Sequence, residues 1–417
     1  MLSPENNSLF LNLIKLKYAV LLAFSISLLS CVKKEKIYFE VKGDGFLVET
    51  PVALDISKLA SNSFKLYNEG NEVAWQIDEE SNTLWFIHSP EQSTSYILEE
   101  NDGSGEQVGE LIAPQENGNL QFTLRNKPVL QYRYDMHYPP QGADSVFKKS
   151  GYIHPVITPK GDTLTRINPP DHYHHYGIWG PWTHTRIDSV RVDFWNLGDG
   201  QGTVLFKEFK SIEKGSLYSR FNAVQEHIDL RTKNTPQVAV NENLKVCLWD
   251  IGRDDRYMFD YSSDFSSPLK KGILFEAYRY GGGLGMRFHE RWQKDNCKVL
   301  TSEGKTRLDA DGSNARWVIV SGEDRTGAGS NGILFMSYPD NRMHPEPMRV
   351  WPENANNGRG DMFFEFCPIR HNEWKIEPNT TYNLTYRMVV FDGELTAEEA
   401  EAYWQAFAKP LQAQIIL

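Results

Sequence analysis

The sequence predicts an all-β protein: a large antiparallel β-sandwich, preceded by a small β-domain and carrying one C-terminal helix. Three observations lead there. Apolar and polar residues alternate over short runs, as in Leu120, Phe122 and Leu124 and in Tyr382, Leu384, Tyr386, Met388 and Val390, which is the period of a half-buried strand. Turn signals punctuate the runs, among them Asn101-Asp102-Gly103, Gly198-Asp199-Gly200 and Asp392-Gly393. Aromatic residues make up 12% of the chain and favour pleated, half-buried surfaces. Strands do not alternate with helical segments, so a doubly wound parallel sheet is not expected.

The first element is an address. Lys15 and Lys17 precede an apolar run from Tyr18 to Leu29 that is broken only by Ser25 and Ser27. A bilayer span takes ~20 apolar residues, whereas a signal-peptide core takes ~7–15 behind a positive region. Leu28-Leu29-Ser30-Cys31 then resembles the bacterial lipobox, which implies cleavage before Cys31 and a lipid on that cysteine. Residues 1–30 therefore read as a lipoprotein signal peptide and 31–35 as a basic, lipidated tether. The expected location is the periplasmic side of the cell envelope, anchored at the outer membrane.

Residues 36–116 read as the small β-domain, with Trp85-Phe86-Ile87 and Ser95-Tyr96-Ile97-Leu98 as late strands. The polar stretch from Glu100 to Asn119 reads as a linker. Residues 117–417 form the large domain, in which Arg316-Trp317-Val318-Ile319-Val320 and Ile333-Leu334-Phe335-Met336 read as more deeply buried strands. The helix is placed at 396–409: Thr396 and Glu399 make a capping box, Ala400, Tyr403, Trp404 and Phe407 share a face, and Pro410 ends it. A net charge of -11, with no basic stripe, argues against a nucleic-acid partner. Cys247, Cys297 and Cys367 are widely spaced, so no C-x-x-C zinc or redox site is expected.

Two stretches carry candidate chemistry. The first is Asp171-His172-Tyr173-His174-His175-Tyr176-Gly177-Ile178-Trp179, behind Pro169-Pro170 and just ahead of His184. Neutral imidazoles there can serve as acid or base, ligate a metal with Asp171, or hydrogen-bond hydroxyls. If the backbone is extended, His174 and His175 point to opposite sides. No H-x-x-x-H or H-E-x-x-H spacing supports a metal, and no cofactor motif appears. The second runs from Phe275 to Trp292 as strand, glycine turn and strand. Period two places Glu276, Tyr278 and Tyr280 on one face, and Arg287, His289 and Arg291 on another. His154, His344 and His371 are further isolated candidates.

His154-Pro155, Thr158-Pro159-Lys160-Gly161, the stretch from Asp171 to Trp179, Val192-Asp193-Phe194-Trp195, Tyr280-Gly281-Gly282, Asp324 and Tyr386-Arg387 together resemble, from about 120 to 395, a bacterial exported family labelled PmoA. The resemblance implies a role in carbohydrate metabolism by association and matches Asp171, His174 and His175 to the family's signature. Its label implies a metal-dependent oxygenase.

The expectation that follows is an exported lipoprotein acting on carbohydrate, with a sandwich similar to the galactose-mutarotase or supersandwich type. Epimerase, lyase and hydrolase chemistries all need the same groups. His174 and His175 are assigned as acid/base or substrate-polarising groups, with Glu276 as their carboxylate partner. His154, Asp171, His172, Trp179, Arg287, His289 and His371 are assigned to substrate binding, with Arg287 and His289 orienting hydroxyls or a uronate. The alternatives are a non-catalytic glycan-binding lipoprotein and, third, a metal-dependent oxygenase.

Overall fold

A computed structural model describes residues 36–43, 47–59, 63–101, 117–231 and 235–416. The expected signal peptide 1–30, the expected tether 31–35 with Cys31, and most of the expected linker lie outside the described residues. Among the described residues no helix is long and apolar enough to cross a membrane.

Among the described residues the fold is all-β with one α-helix, as the alternation of apolar residues requires. Two eight-stranded sheets pack face to face to form the large antiparallel sandwich. In the first, the central strands are Glu346–Val350, Phe363–Phe366, Leu284–Arg287, Ile178–Trp179 and Tyr152–Val156. In the second, Tyr382–Asp392 lies at the centre, between Arg256–Ser266 and Ser330–Ser337. Alternation sorts the side chains. Leu384, Tyr386, Met388 and Val390 face the sandwich interior with Ile178, Met286, Phe364 and Phe366. Val389 and Phe391 point the other way. Trp317–Glu323 is buried on both faces for the same reason: Val318 and Val320 join the interior, whereas Trp317 and Ile319 join the outer cluster. A small sheet of four strands, Val190–Val192, Thr185–Ile187, Ile273–Phe275 and Trp374–Ile376, flanks the sandwich.

The outer face of the second sheet is covered by the helix Ala397–Ala408, which starts at Thr396 with the full capping box and buries Ala400, Tyr403, Trp404 and Phe407. Beyond Pro410 the chain does not stop. Gln412–Ile415 enters the N-terminal sheet between Lys36–Lys42 and Thr50–Asp55, antiparallel to the first and parallel to the second. The sequence reading leaves these residues with the large domain, because four residues after a proline carry no signal for a partner sheet. The N-terminal sheet buries Phe39, Val52, Leu66, Phe86 and Leu98 in its own core. Cys247, Cys297 and Cys367 are free.

Candidate functional site

The outer face of the first sheet is closed by loops, and there the histidine segment folds. The segment is not extended. Arg166 accepts from the Gly177 N–H (2.9 Å) and the Asn168 N–H donates to the His175 carbonyl (2.9 Å), pinching off a loop. Inside it, His172 donates its N–H to Pro169 and His175 donates to His172, giving two successive tight turns. Gly177 closes the loop at φ +63°, where a Cβ would meet the Ile153 carbonyl oxygen at 2.2 Å, so only glycine fits.

These turns correct the expectation that His174 and His175 diverge. The rings of His172, His174 and His175 pack together, with centroids 4.8 Å apart for His172–His175 and His174–His175, and 5.5 Å for His172–His174. All three line one cavity of about 240 Å³ with Thr183, Trp195, Asn196, Tyr278, Arg279, Tyr280 and Trp351.

The histidines differ in environment. His172 Nδ1 donates to Asp171 (2.9 Å). Burial alone raises the Asp171 carboxyl, but the His172 hydrogen bond and the Arg287 charge outweigh it and hold the group at about 2. His174 is pulled down to about 4 by burial, then by the neighbouring His172. His175 is 1% exposed and burial drives it well below the usual imidazole range, aided by His174 and Arg287. Its Nδ1 has no hydrogen-bond partner among the described residues, nor have the indole N–H groups of Trp179 and Trp195.

Behind His172 lies a charged network. Arg287, 1% exposed, bonds both Asp171 (3.0 Å) and Asp361 (2.7 Å) and sits 4.6 Å over the Trp351 ring. Asn356 bonds both carboxylates as well, at 2.9 and 2.6 Å, and Arg359 pairs with Asp361. On the far wall, the fully buried Asp193 gathers Thr183 (2.8 Å), Asn196 (2.8 Å) and the N–H groups of Trp195 and Asn196. The Tyr280 hydroxyl accepts from Arg349 (3.1 Å) and Trp351 (3.0 Å).

Other expected residues go elsewhere. Trp179 backs the cavity, with its ring 5.5 Å from His175. The strand before the glycine turn ends at Phe275, so period two fails beyond it. Tyr278 and Tyr280 reach the cavity, while Glu276 pairs with Arg186 at 2.5 Å and is not among the lining residues. The following strand ends at Arg287, which separates His289 from it. His289 packs on Trp292 at 4.8 Å, both ring nitrogens without partners among the described residues. His154 shares a hydrogen bond with Thr165 (2.8 Å), and His371 contacts the Gly312 carbonyl (3.2 Å). Neither lines the cavity. Asp361, Asn356, Arg359 and Trp351 escaped the sequence reading. The turn-rich run from Trp351 to Asp361, with three asparagines and two glycines, was the signal available. Among the described residues no group of three or more His, Cys, Asp or Glu side chains is arranged to hold a metal ion.

Residues 119–405 match DUF6807, a family of unknown function. This corrects the resemblance to the PmoA family, which nothing supports: short His-, Gly- and Trp-rich segments in a similar order were what suggested it. No protein of curated function matches the sequence. Among solved structures the chain is similar to a provisionally named aldose 1-epimerase of Escherichia coli K12, at 12% identity and a TM-score of 0.31, over 59% of this chain and 93% of that one. It is also similar to a galactose mutarotase related enzyme of Lactobacillus acidophilus, at 9% identity and a TM-score of 0.30, over 68% and 100%. A GH36 α-galactosidase of Geobacillus stearothermophilus matches at 8% identity and a TM-score of 0.22, over 61% and 32%. These likenesses concern the arrangement of strands, and no assignment of substrate rests on them.

Proposed function

Because the chain belongs to the DUF6807 family of unknown function, its task has to be read from the cavity, and we propose that it is an exported, lipid-anchored protein that binds a sugar there and performs acid–base chemistry on it. The observation that carries this reading is the Asp171–His172 pair at the edge of an aromatic-walled cavity. Asp171 accepts the hydrogen bond from Nδ1–H, which fixes the tautomer and leaves Nε2 as the proton acceptor, the arrangement a general base needs. His174 and His175, kept neutral by burial, polarise hydroxyls without adding charge. Trp195 and Trp351 offer apolar ring atoms for the C–H side of a sugar, and Asn196 and Thr183 offer polar atoms for its hydroxyls. A cavity of about 240 Å³ falls below the ~300–1,000 Å³ of drug-sized ligand sites, which suits one sugar ring. The anchor at Cys31 on the periplasmic side of the outer membrane belongs to the same proposal.

The test is conversion of a panel of monosaccharides and their glycosides, followed by NMR with the full chain. His172→Ala should abolish turnover and Asp171→Asn should lower it by ~10²–10⁴, the range for a positioned proton-transfer group. Full turnover by His172→Ala would refute the assignment. One observation favours a second reading, a glycan-binding lipoprotein without catalysis: among the described residues no carboxylate lines the cavity, and Glu276 is held by Arg186. Saturable sugar binding without conversion would establish that reading instead.

A further inference from the structure

We propose that the cavity takes an acidic saccharide and that Arg279 holds its anionic substituent; this rests on the reading of the cavity as a carbohydrate site. The charges around the cavity point to it. Arg287, the guanidinium that first suggests itself for a uronate, is already committed to Asp171 and Asp361 and packed against Trp351. Arg279 is different. Its guanidinium lies 5.3 Å over the Tyr280 ring, lines the cavity and is exposed. Among the described residues it is the arginine whose guanidinium makes neither an ion pair nor a hydrogen bond; even Arg133, Arg307 and Arg342, which lack a carboxylate, donate to backbone carbonyls.

No anion of the cavity competes for it. The carboxylates around the site are each engaged: Asp171 with His172 and Arg287, Asp193 with Thr183 and Asn196, and Asp311 with Arg349 (2.6 Å) and Arg370 (3.1 Å). A chain of net charge -11 therefore presents here one unpaired cation beside neutral imidazoles. A guanidinium already resting on an aromatic face is preorganised, and its planar fork matches a carboxylate bidentately. A sulfate ester offers the same oxygens, so the chemistry recognised is a sugar bearing one anionic group.

The experiment is calorimetric titration of the full chain with glucuronate, galacturonate, galactose 6-sulfate, glucose and galactose. Wild type is compared with Arg279→Gln, Arg279→Lys and His172→Ala, each checked for native thermal unfolding. Charge-assisted hydrogen bonds predict that an acidic sugar binds about tenfold or more tightly than its neutral counterpart. Arg279→Gln removes that preference, and Arg279→Lys retains part of it. Preference confined to the sulfated sugar identifies sulfate as the substituent. Equal binding of acidic and neutral sugars, or a preference that survives Arg279→Gln, overturns the inference and leaves the carbohydrate reading standing. Binding of no sugar at all overturns the carbohydrate reading itself, and sugar binding indifferent to His172→Ala overturns its placement in this cavity.

Discussion

On one side of the sandwich the sheet through Trp317–Glu323 and Tyr382–Asp392 is sealed by the helix Ala397–Ala408, whereas on the other the sheet through Leu284–Arg287 is covered by loops that leave a cavity. Both faces are rich in buried tryptophan, which makes the contrast in their polar atoms informative. On the sealed face the three buried indoles are satisfied: Trp404 donates to Ser337 (3.0 Å), Trp317 to Glu401 (2.7 Å) and Trp249 to Asp260 (2.9 Å). On the loop-covered face Trp179 and Trp195 leave their N–H groups without partners among the described residues, as does the Nδ1 of His175. An unsatisfied buried donor costs ~1–3 kcal/mol. One face is built for stability, and the other keeps polar atoms that a ligand or water can satisfy.

The contrast can be broken most forcefully from the sealed side. Trp404→Ala removes a ring packed on His344 and Arg316 and should cost ~3–5 kcal/mol. Thermal unfolding should show the loss, while ligand affinity of the folded fraction stays unchanged. Next comes Arg287→Met, which leaves Asp171 and Asp361 without their shared cation. Because Asn356 and Arg359 remain, ~2–3 kcal/mol is expected. Here ligand binding should fall as well, since Asp171 orients His172.

Acid should separate the two faces further. Burial holds His174 at about 4 and His175 well below its usual value of 6.5. Below pH 6.5 the unfolded chain binds protons that the folded chain refuses, so this stability is full above pH 6.5 and drains as pH falls towards 4. The carboxylates that tie down the helix behave otherwise. Glu399 and Asp255, beside Arg256, sit below their usual values of 4.5 and 3.8, so their contribution is lost only at lower pH. Tryptophan fluorescence and ligand binding should therefore change between pH 6.5 and 4 before helical circular dichroism does. Simultaneous loss would merge the two faces into one acid-sensitive unit. The smallest effect is expected for Thr396→Ala, which removes the capping box at ~1 kcal/mol and leaves the cavity intact.

How far the sequence speaks follows the same division. The sealed face was legible, because periodicity decides it: the alternation in Tyr382–Asp392 and the helical spacing from Ala400 to Phe407 both meet apolar partners as read. The loop-covered face was half legible. The histidines stood out as a local cluster, and a turn brings local clusters together. Period two places Glu276 and His289 only while the strand lasts; the strands end at Phe275 and Arg287, one residue before the first and two before the second. Asn356 meets Asp171 across 185 residues of chain, and Asp361 joins them through Asn356 and Arg287, in contacts that no local pattern encodes.

The histidine rings report directly on the cavity. Ring-selective two-dimensional NMR of the full chain, titrated with glucuronate and galactose, should move the signals of His172, His174 and His175 together with the Trp195 indole N–H. His289 and His371 should stay still. Shifts confined to those two histidines, or no shift at any saturating sugar, would contradict the assignment of this cavity as the ligand site.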